Sequence, residues 1–379
     1  MSEPASRAKK SGEPRSSAPR ARRSQRSAAT IAGWIAALVA IAFVSYVAVW
    51  IVTAHQGRRG AVRVTLSEHA TADEVALALY RAGAIDRPWL FSWAMTLTGV
   101  ADRVPRRVLL LRDDVAPRTL LRAIASGGAL VRVTIPEGYS RFEIAQRLAR
   151  EGVVSSEDAF VAATEQRSLL DRLQIQGDSC EGYLFPDTYD LYPESAADEV
   201  IERMVRNFRR RWDEARRAHP STDARLASLS LDDRALLTLA SLVEEEAGTN
   251  EDRPRIASVF LNRLTSPSFT PRLLQSDPTV VYGCRVAHPP SCADAPRTGR
   301  MSITRSMLDD SANPFSTYRR EGLPPGPISN PGRASIHAVL QPANSQALYF
   351  VAMGDGRSAF ADTLAEHNAN VQRYLRPRR

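Results

Sequence analysis

The sequence predicts an α+β protein held at a membrane by a single N-terminal helix, and three observations predict it. The 22 residues from Ile31 to Val52 carry no charge, and at 1.5 Å rise such a stretch crosses a hydrocarbon core of roughly 30 Å. A strand-then-helix pattern occurs twice in the segment that follows. Beyond it, helical periodicities dominate, with only short alternating runs between them.

The anchor comes first in the chain. Of the net charge of +8, residues 1–30 contribute most, with eight Lys/Arg against Glu3 and Glu13. This tail is rich in Ser, Pro, Ala and Arg and lacks aromatic residues, so it is expected to be disordered. A nucleic-acid partner is not expected, because such proteins spread their cations over a folded face interleaved with aromatics. Trp34, Tyr46 and Trp50 stand near the ends of the apolar segment. The positive tail places the N-terminus in the cytoplasm and the bulk of the chain outside an inner, cytoplasmic membrane, as a single-pass protein. A cleaved signal would carry a shorter apolar core, about 7 to 15 residues. The anchor is therefore drawn over 31–53.

After a Gly57–Gly60 linker, residues 62–85 match 131–154 at an offset of 69, with ten of 24 positions identical. Val62-Arg-Val-Thr-Leu-Ser-Glu68 corresponds to Val131-Arg-Val-Thr-Ile-Pro-Glu137. Each copy reads as a strand, a turn and a helix closed by glycine, Gly83 or Gly152. Arg107–Leu111 and Ala116–Gly127 offer a further strand and helix between them. Residues 61–154 are taken as one small βα module, and 155–379 as a larger mixed α+β domain. With 44% hydrophobic residues, a chain of 379 residues can fill more than one core.

In the larger domain, helical patterns fill Ser156–Leu173 and about Ala196–Ala218. Between them, Glu181-Gly-Tyr-Leu-Phe-Pro-Asp-Thr-Tyr189 sets three aromatics beside two carboxylates, which suits either a sugar-stacking surface or an aromatic core turn. Ser230-Leu-Asp-Asp233 reads as a capping box opening the next helix. There Leu236, Leu239, Ala240 and Val243 form one apolar stripe. Glu246 continues it, whereas Glu244 and Glu245 are rotated by roughly 200° and 100° and are expected to reach water. Gly248 ends the helix, so Glu246 lies in its last turn, at the rim of a core. Lost hydration and the carbonyl end of the helix both raise the pKa of a carboxyl group there, as a general acid requires.

Other chemistry finds little support. Cys180, Cys284 and Cys292 lack metal-ligand spacing, and the six histidines stand singly, so no metal is expected. Cys284 and Cys292 bracket a polar loop and are either bridged or free. No phosphate-cradling, dinucleotide or nucleophile-elbow motif is present, so no cofactor is expected.

The run Asn250-Glu-Asp-Arg253 to Arg263, then Leu274-Gln-Ser-Asp-Pro-Thr-Val-Val-Tyr-Gly283, Gly322-Leu-Pro-Pro-Gly-Pro-Ile328, Asn330-Pro-Gly332 and Tyr349-Phe-Val-Ala352 together resemble the YceG-like family of endolytic murein transglycosylases. The resemblance covers about Val62 to Leu375. It implies an anchored lyase with a LysM-like peptidoglycan-binding module over 61–154 and a catalytic domain over 155–379. The implied reaction cuts the β-1,4 bond between N-acetylmuramic acid and N-acetylglucosamine in nascent strands, leaves a 1,6-anhydro end and terminates strand elongation. The family's catalytic glutamate falls on Glu246. Gln275, Asp277, Asn262, Thr317 and Tyr318 are the substrate-binding candidates, with Gln275 equally open to stabilising its loop and Asn262 better suited to capping a buried backbone group than to binding sugar. The proline-rich 322–328 segment is expected to wall the groove. One departure stands out: Ser316 in Asn313-Pro-Phe-Ser-Thr-Tyr318 replaces the family's usual asparagine. Two rivals remain, a hydrolytic muramidase using Asp277 or Glu244 as second acid, and a non-catalytic scaffold that binds peptidoglycan and recruits its synthases.

Overall fold

A computed structural model describes residues 21–53, 61–66, 70–101, 108–112, 114–125, 130–220, 224–229 and 231–375. The first 20 residues of the expected tail, the Gly57–Gly60 linker and Ser230 lie outside these. In chain order the elements are α1 (Ala21–Val52), β1 (Ala61–Thr65), α2 (Ala72–Arg81), α3 (Pro88–Leu97), β2 (Val108–Arg112), α4 (Pro117–Ala125), β3 (Val131–Thr134), α5 (Arg141–Arg150), α6 (Glu157–Glu165), α7 (Arg167–Arg172), β4 (Thr188–Leu191), α8 (Ala197–Ala218), α9 (Ala224–Leu229), α10 (Asp233–Glu246), α11 (Arg253–Thr265), α12 (Asp277–Ala287), α13 (Arg305–Asp309), α14 (Arg333–Leu340), β5 (Tyr349–Ala352), β6 (Ser358–Ala361) and α15 (Leu364–Tyr374). The fold is mixed, rich in helix and poor in strand. Its strands form three two-stranded antiparallel ribbons, β1–β2, β3–β4 and β5–β6. The apolar helix starts at Ala21, ten residues before the uncharged stretch, so part of the expected tail is helical.

Both copies of the repeat share their local chemistry. Thr71 and Ser140 cap α2 and α5 in reciprocal boxes with Glu74 and Glu143, 69 residues apart in each case. Gly83 and Gly152 follow these helices at φ 78° and 69°, the left-handed region open to glycine. Their tertiary partners differ. β1 pairs with β2, while β3 pairs with β4 in the register Val131↔Leu191 to Thr134↔Thr188. Val64, Val75, Leu79, Leu90, Phe91 and Leu120 fill a small core, but Val133, Ile135, Phe142, Ile144 and Leu148 belong to the large one built on α8, α10, α11 and α14. The 61–154 segment therefore does not share a single core. A repeat encodes each strand's own pattern and not which distant edge it pairs with.

The two cores are joined by Tyr192. Its ring fills the smaller core, and its hydroxyl accepts the Arg112 N–H at 2.7 Å. Arg118 on α4 also pairs with Glu199 on α8 at 2.9 Å. The aromatic turn 181–189 resolves as core: Leu184, Phe185 and Tyr189 are buried, and the Tyr189 hydroxyl donates to Phe185 O at 2.6 Å.

Candidate active site

α10 carries the site. Asp232 caps it, accepting the Ala235 N–H at 2.7 Å through its side chain, and the helix begins at Asp233. Residues 236–244 are buried without a break, because α11, α12 and α14 all pack against this helix. The three consecutive glutamates at its end consequently meet three environments.

Glu244 is buried rather than solvated, which corrects the sequence expectation. Its Oε1 accepts from Arg253 Nη2 at 2.8 Å, and its Oε2 accepts the Gly332 N–H at 2.9 Å. With both oxygens committed, it cannot serve as the second acid of a hydrolase. Arg253 also donates to Ser335 Oγ at 2.9 Å and Asn250 Oδ1 at 2.6 Å, so the pair fastens α10, α11 and α14 together.

Glu246 is half-buried. Its Oε1 accepts from Ser276 Oγ at 2.6 Å, and its Oε2 has no hydrogen-bond partner among the described residues. Burial raises its pKa above the ordinary carboxylate value; the Ser276 hydrogen bond opposes the shift, the negative charge of Asp277 reinforces it, and Arg263 opposes it. One oxygen is held while the other is available to carry a proton.

The segment beside Glu246 is held in an unusual shape. Gln275 has φ 52°, a left-handed conformation that costs about 1 kcal/mol or more outside glycine. Its N–H donates to Thr317 O at 3.1 Å, and the Ser276 N–H donates to Thr317 Oγ1 at 3.0 Å. Thr317 is thus a buried clamp for this segment. The clamp leaves the Gln275 side chain and Asp277 exposed at the rim, where Asp277 Oδ1 accepts from the Tyr318 hydroxyl at 2.6 Å. Asn262 lies elsewhere: it donates to Ser345 O at 2.8 Å and Ala347 O at 3.0 Å, and lines a separate cavity beside Ser266 and Ser345. The structure therefore brings Glu246, Gln275, Asp277 and Tyr318 to one rim, with Thr317 behind them and Asn262 away. Ser316, at the position of departure from the family, is buried with its Oγ unpartnered.

A cleft of about 300 Å³ opens next to Asp277, lined also by Gly138, Glu143, Glu245, Tyr282 and Arg285. Glu245 is exposed, as its helical phase indicates, but its carboxyl borders the cleft walls, where lost hydration pushes it up to about 7, against a hydrogen bond from Ser329 and with help from the charges of Glu143, Glu244 and Glu246. Its Oε1 would lie 3.2 Å from a Cβ at Gly138, so that glycine lets the turn before α5 close against it. The three-glutamate run was the only local sign of this second perturbed acid. Ile328, at the end of the proline segment, forms part of the cleft wall, and its N–H donates to Ser241 Oγ at 3.1 Å.

Beneath the cleft, buried Glu181 ties three walls. It accepts the Arg141 N–H at 3.0 and 3.1 Å, the Asn330 amide at 2.7 Å and the Tyr282 hydroxyl, and burial lifts it to about 7. α12 packs tightly here as well. A Cβ at Gly283 would stand 1.9 Å from Asn313 Oδ1, the atom that accepts the Phe315 N–H at 3.0 Å. Gly283→Ala is expected to cost about 1–3 kcal/mol by overpacking, read as a lower denaturation midpoint. Cys284, the next residue, is disulfide-bonded to Cys292, which closes the polar loop that follows α12.

A profile of the YceG-like family matches residues 64–373. An endolytic murein transglycosylase of Bacillus subtilis is 30% identical over 274 residues, 68% of this chain and 69% of that protein. One from Streptococcus pneumoniae is 27% identical over 349 residues, 83% of this chain; the match spans 58% of that longer protein. The crystal structure of a YceG-like protein from Listeria monocytogenes superposes with a TM-score of 0.52 at 25% identity, covering 82% of this chain and 99% of that one.

Proposed function

The chain belongs to the YceG-like family, and from that premise we propose that it is a membrane-anchored endolytic murein transglycosylase with Glu246 as its acid and base. The observation that carries this reading is the pairing of a held oxygen and an unbonded oxygen on a carboxyl group whose pKa is raised by burial.

The Oε2 proton passes to the glycosidic oxygen as the bond from C1 of the muramyl sugar breaks, and the N-acetylglucosamine hydroxyl leaves. Positive charge develops on the muramyl ring. The C6 hydroxyl of the same sugar then attacks C1 and gives its proton to the Glu246 carboxylate, which closes a 1,6-anhydro ring and restores the acid. No water is consumed, so no second carboxylate is needed to activate one. Asp277 serves as a charge that keeps Glu246 protonated, while Gln275 and Tyr318 contact sugars at the rim. Thr317 and Asn262, committed to internal hydrogen bonds, are assigned to holding the walls.

α1 is read as the anchor: its Ile31–Val52 portion is long and apolar enough to cross a membrane. The charge of the tail puts the N-terminus in the cytoplasm and the cleft outside. Of the expected LysM-like module, the part sharing the smaller core, from β1 to α4, is retained as the peptidoglycan-binding unit. Recruitment of synthases belongs to the same reading, and pull-down from solubilised membranes tests it.

Digestion of purified glycan strands followed by mass spectrometry tests the reaction. Anhydro ends, lighter by one water than reducing ends, are expected; reducing ends alone would indicate a hydrolase, and intact strands a scaffold. The pH profile gives a further check. A raised Glu246 pKa keeps the acid protonated toward neutrality, so kcat is level below that pKa and falls about tenfold per unit above it. Asp277→Asn removes a charge that raises the pKa, and is expected to move this falling limb to lower pH.

A further inference from the structure

The small core leaves an apolar surface unused. α3 (PWLFSWAMTL) contains no charged residue. Leu90, Phe91, Ala94 and Met95 on one side fill the core, while Trp89, Trp93 and Leu97 turn outward at 57%, 51% and 66% exposure. Their four-residue spacing makes one stripe. α2, which packs against α3, adds exposed Leu77 and Tyr80. A helix that is apolar all round is ordinarily covered by protein or lipid.

What covers it is indicated by where α3 begins. The end of α1 is clamped to the residues just before α3: the Trp50 indole N–H donates to Asp86 Oδ1 at 2.9 Å, and the Arg87 guanidinium lies 5.3 Å from the centre of the Tyr46 ring. Trp50 is buried in the small core, with Val47 and Ile51 packed against it. Tyr46 and Trp50 occupy the last two turns of the apolar span, where hydrocarbon gives way to headgroups. Trp89 follows Arg87 by two residues, a reach of at most about 7 Å. α3 therefore starts at the depth of the membrane interface.

We propose that the Trp89–Trp93–Leu97 face of α3 lies in the interfacial layer of the leaflet into which α1 emerges, with phospholipid as its occupant. Indole rings suit that layer, having an apolar body and one polar N–H. Arg81 and Arg87 are exposed at the end of α2 and just before α3, and supply cations for headgroup phosphates. Through Tyr192 and the Arg118–Glu199 pair, this second contact sets the height and tilt of the cleft over the membrane, which a lone helix would leave free to swivel. The inference rests on α1 being the anchor.

Full-length protein in vesicles of phosphatidylethanolamine and phosphatidylglycerol tests it. Trp93→Cys takes an environment-sensitive fluorophore, and the free thiol Cys180 is buried. Reference labels go at Val39→Cys in α1 and Arg217→Cys on the exposed surface of α8. The label at 93 is expected to lose emission with brominated acyl chains and to be spared by aqueous iodide, with 217 showing the reverse. Iodide quenching at 93 equal to that at 217 overturns the proposal, and so does sparing from both quenchers, which would mean a protein cover. A label at 39 untouched by brominated lipid overturns the anchor reading, and this proposal with it. Neither result bears on anhydro-end formation, which is measured separately.

Discussion

Glu246→Gln is expected to slow strand cleavage by about 10³-fold or more, the scale of losing a general acid that also returns as base. Glutamine preserves the size of the side chain and can still accept the Ser276 hydroxyl, so the denaturation midpoint should hardly change. Glu245→Gln is the necessary companion. Glu245 also has a raised pKa and lines the cleft itself, but in the proposed mechanism it borders the substrate without exchanging a proton. Its loss should cost substantially less, mostly through KM. The opposite pattern would transfer the catalytic role by one residue along the same helix end. Initial rates on purified strands, with each variant's folding checked by circular dichroism, separate the two.

The second large effect is on stability. Arg253→Leu leaves Glu244 buried and unpaired, with the Gly332 N–H as its remaining donor, and removal of one partner from a buried pair typically costs about 3–5 kcal/mol. The double replacement Glu244→Leu with Arg253→Leu should recover part of that loss, since the isolated charge is then gone. Chemical denaturation of the detergent-solubilised protein gives both values. If the single variant loses less than about 1 kcal/mol, the pair is not the fastening between α10, α11 and α14 described above.

Helical phase put Glu246 at the rim and Glu245 toward solvent but misjudged Glu244, and the reason is geometric. A single apolar stripe describes a helix with one buried side; α10 is packed by three other helices, so a second face is buried and Glu244 with it. Its partner Arg253 lies nine residues on, in the next helix, where no local pattern connects them. Local chemistry was legible in the glycines closing α2 and α5 and in the start of α8, one residue from expectation, although Asp232 rather than Ser230 supplies the cap of α10. Strand pairing was not, because β3 finds its partner in β4, more than fifty residues later. The roles of Thr317 and Asn262 were equally hidden, since which backbone groups they satisfy depends on contacts between distant segments. Spacing allowed the bridge between Cys284 and Cys292 without requiring it, and the turn after α12 is what brings the two thiols together.

The account depends on Glu246 holding its proton where an ordinary carboxyl group would have lost it. Carbon-13 NMR of protein labelled at glutamate carboxyl carbons, with the Glu246 signal identified by its absence in Glu246→Gln, measures this directly. The account predicts a midpoint clearly above the unperturbed value of about 4.3, moving down in Asp277→Asn. A midpoint at or below that value, unmoved by Asp277→Asn, would contradict it.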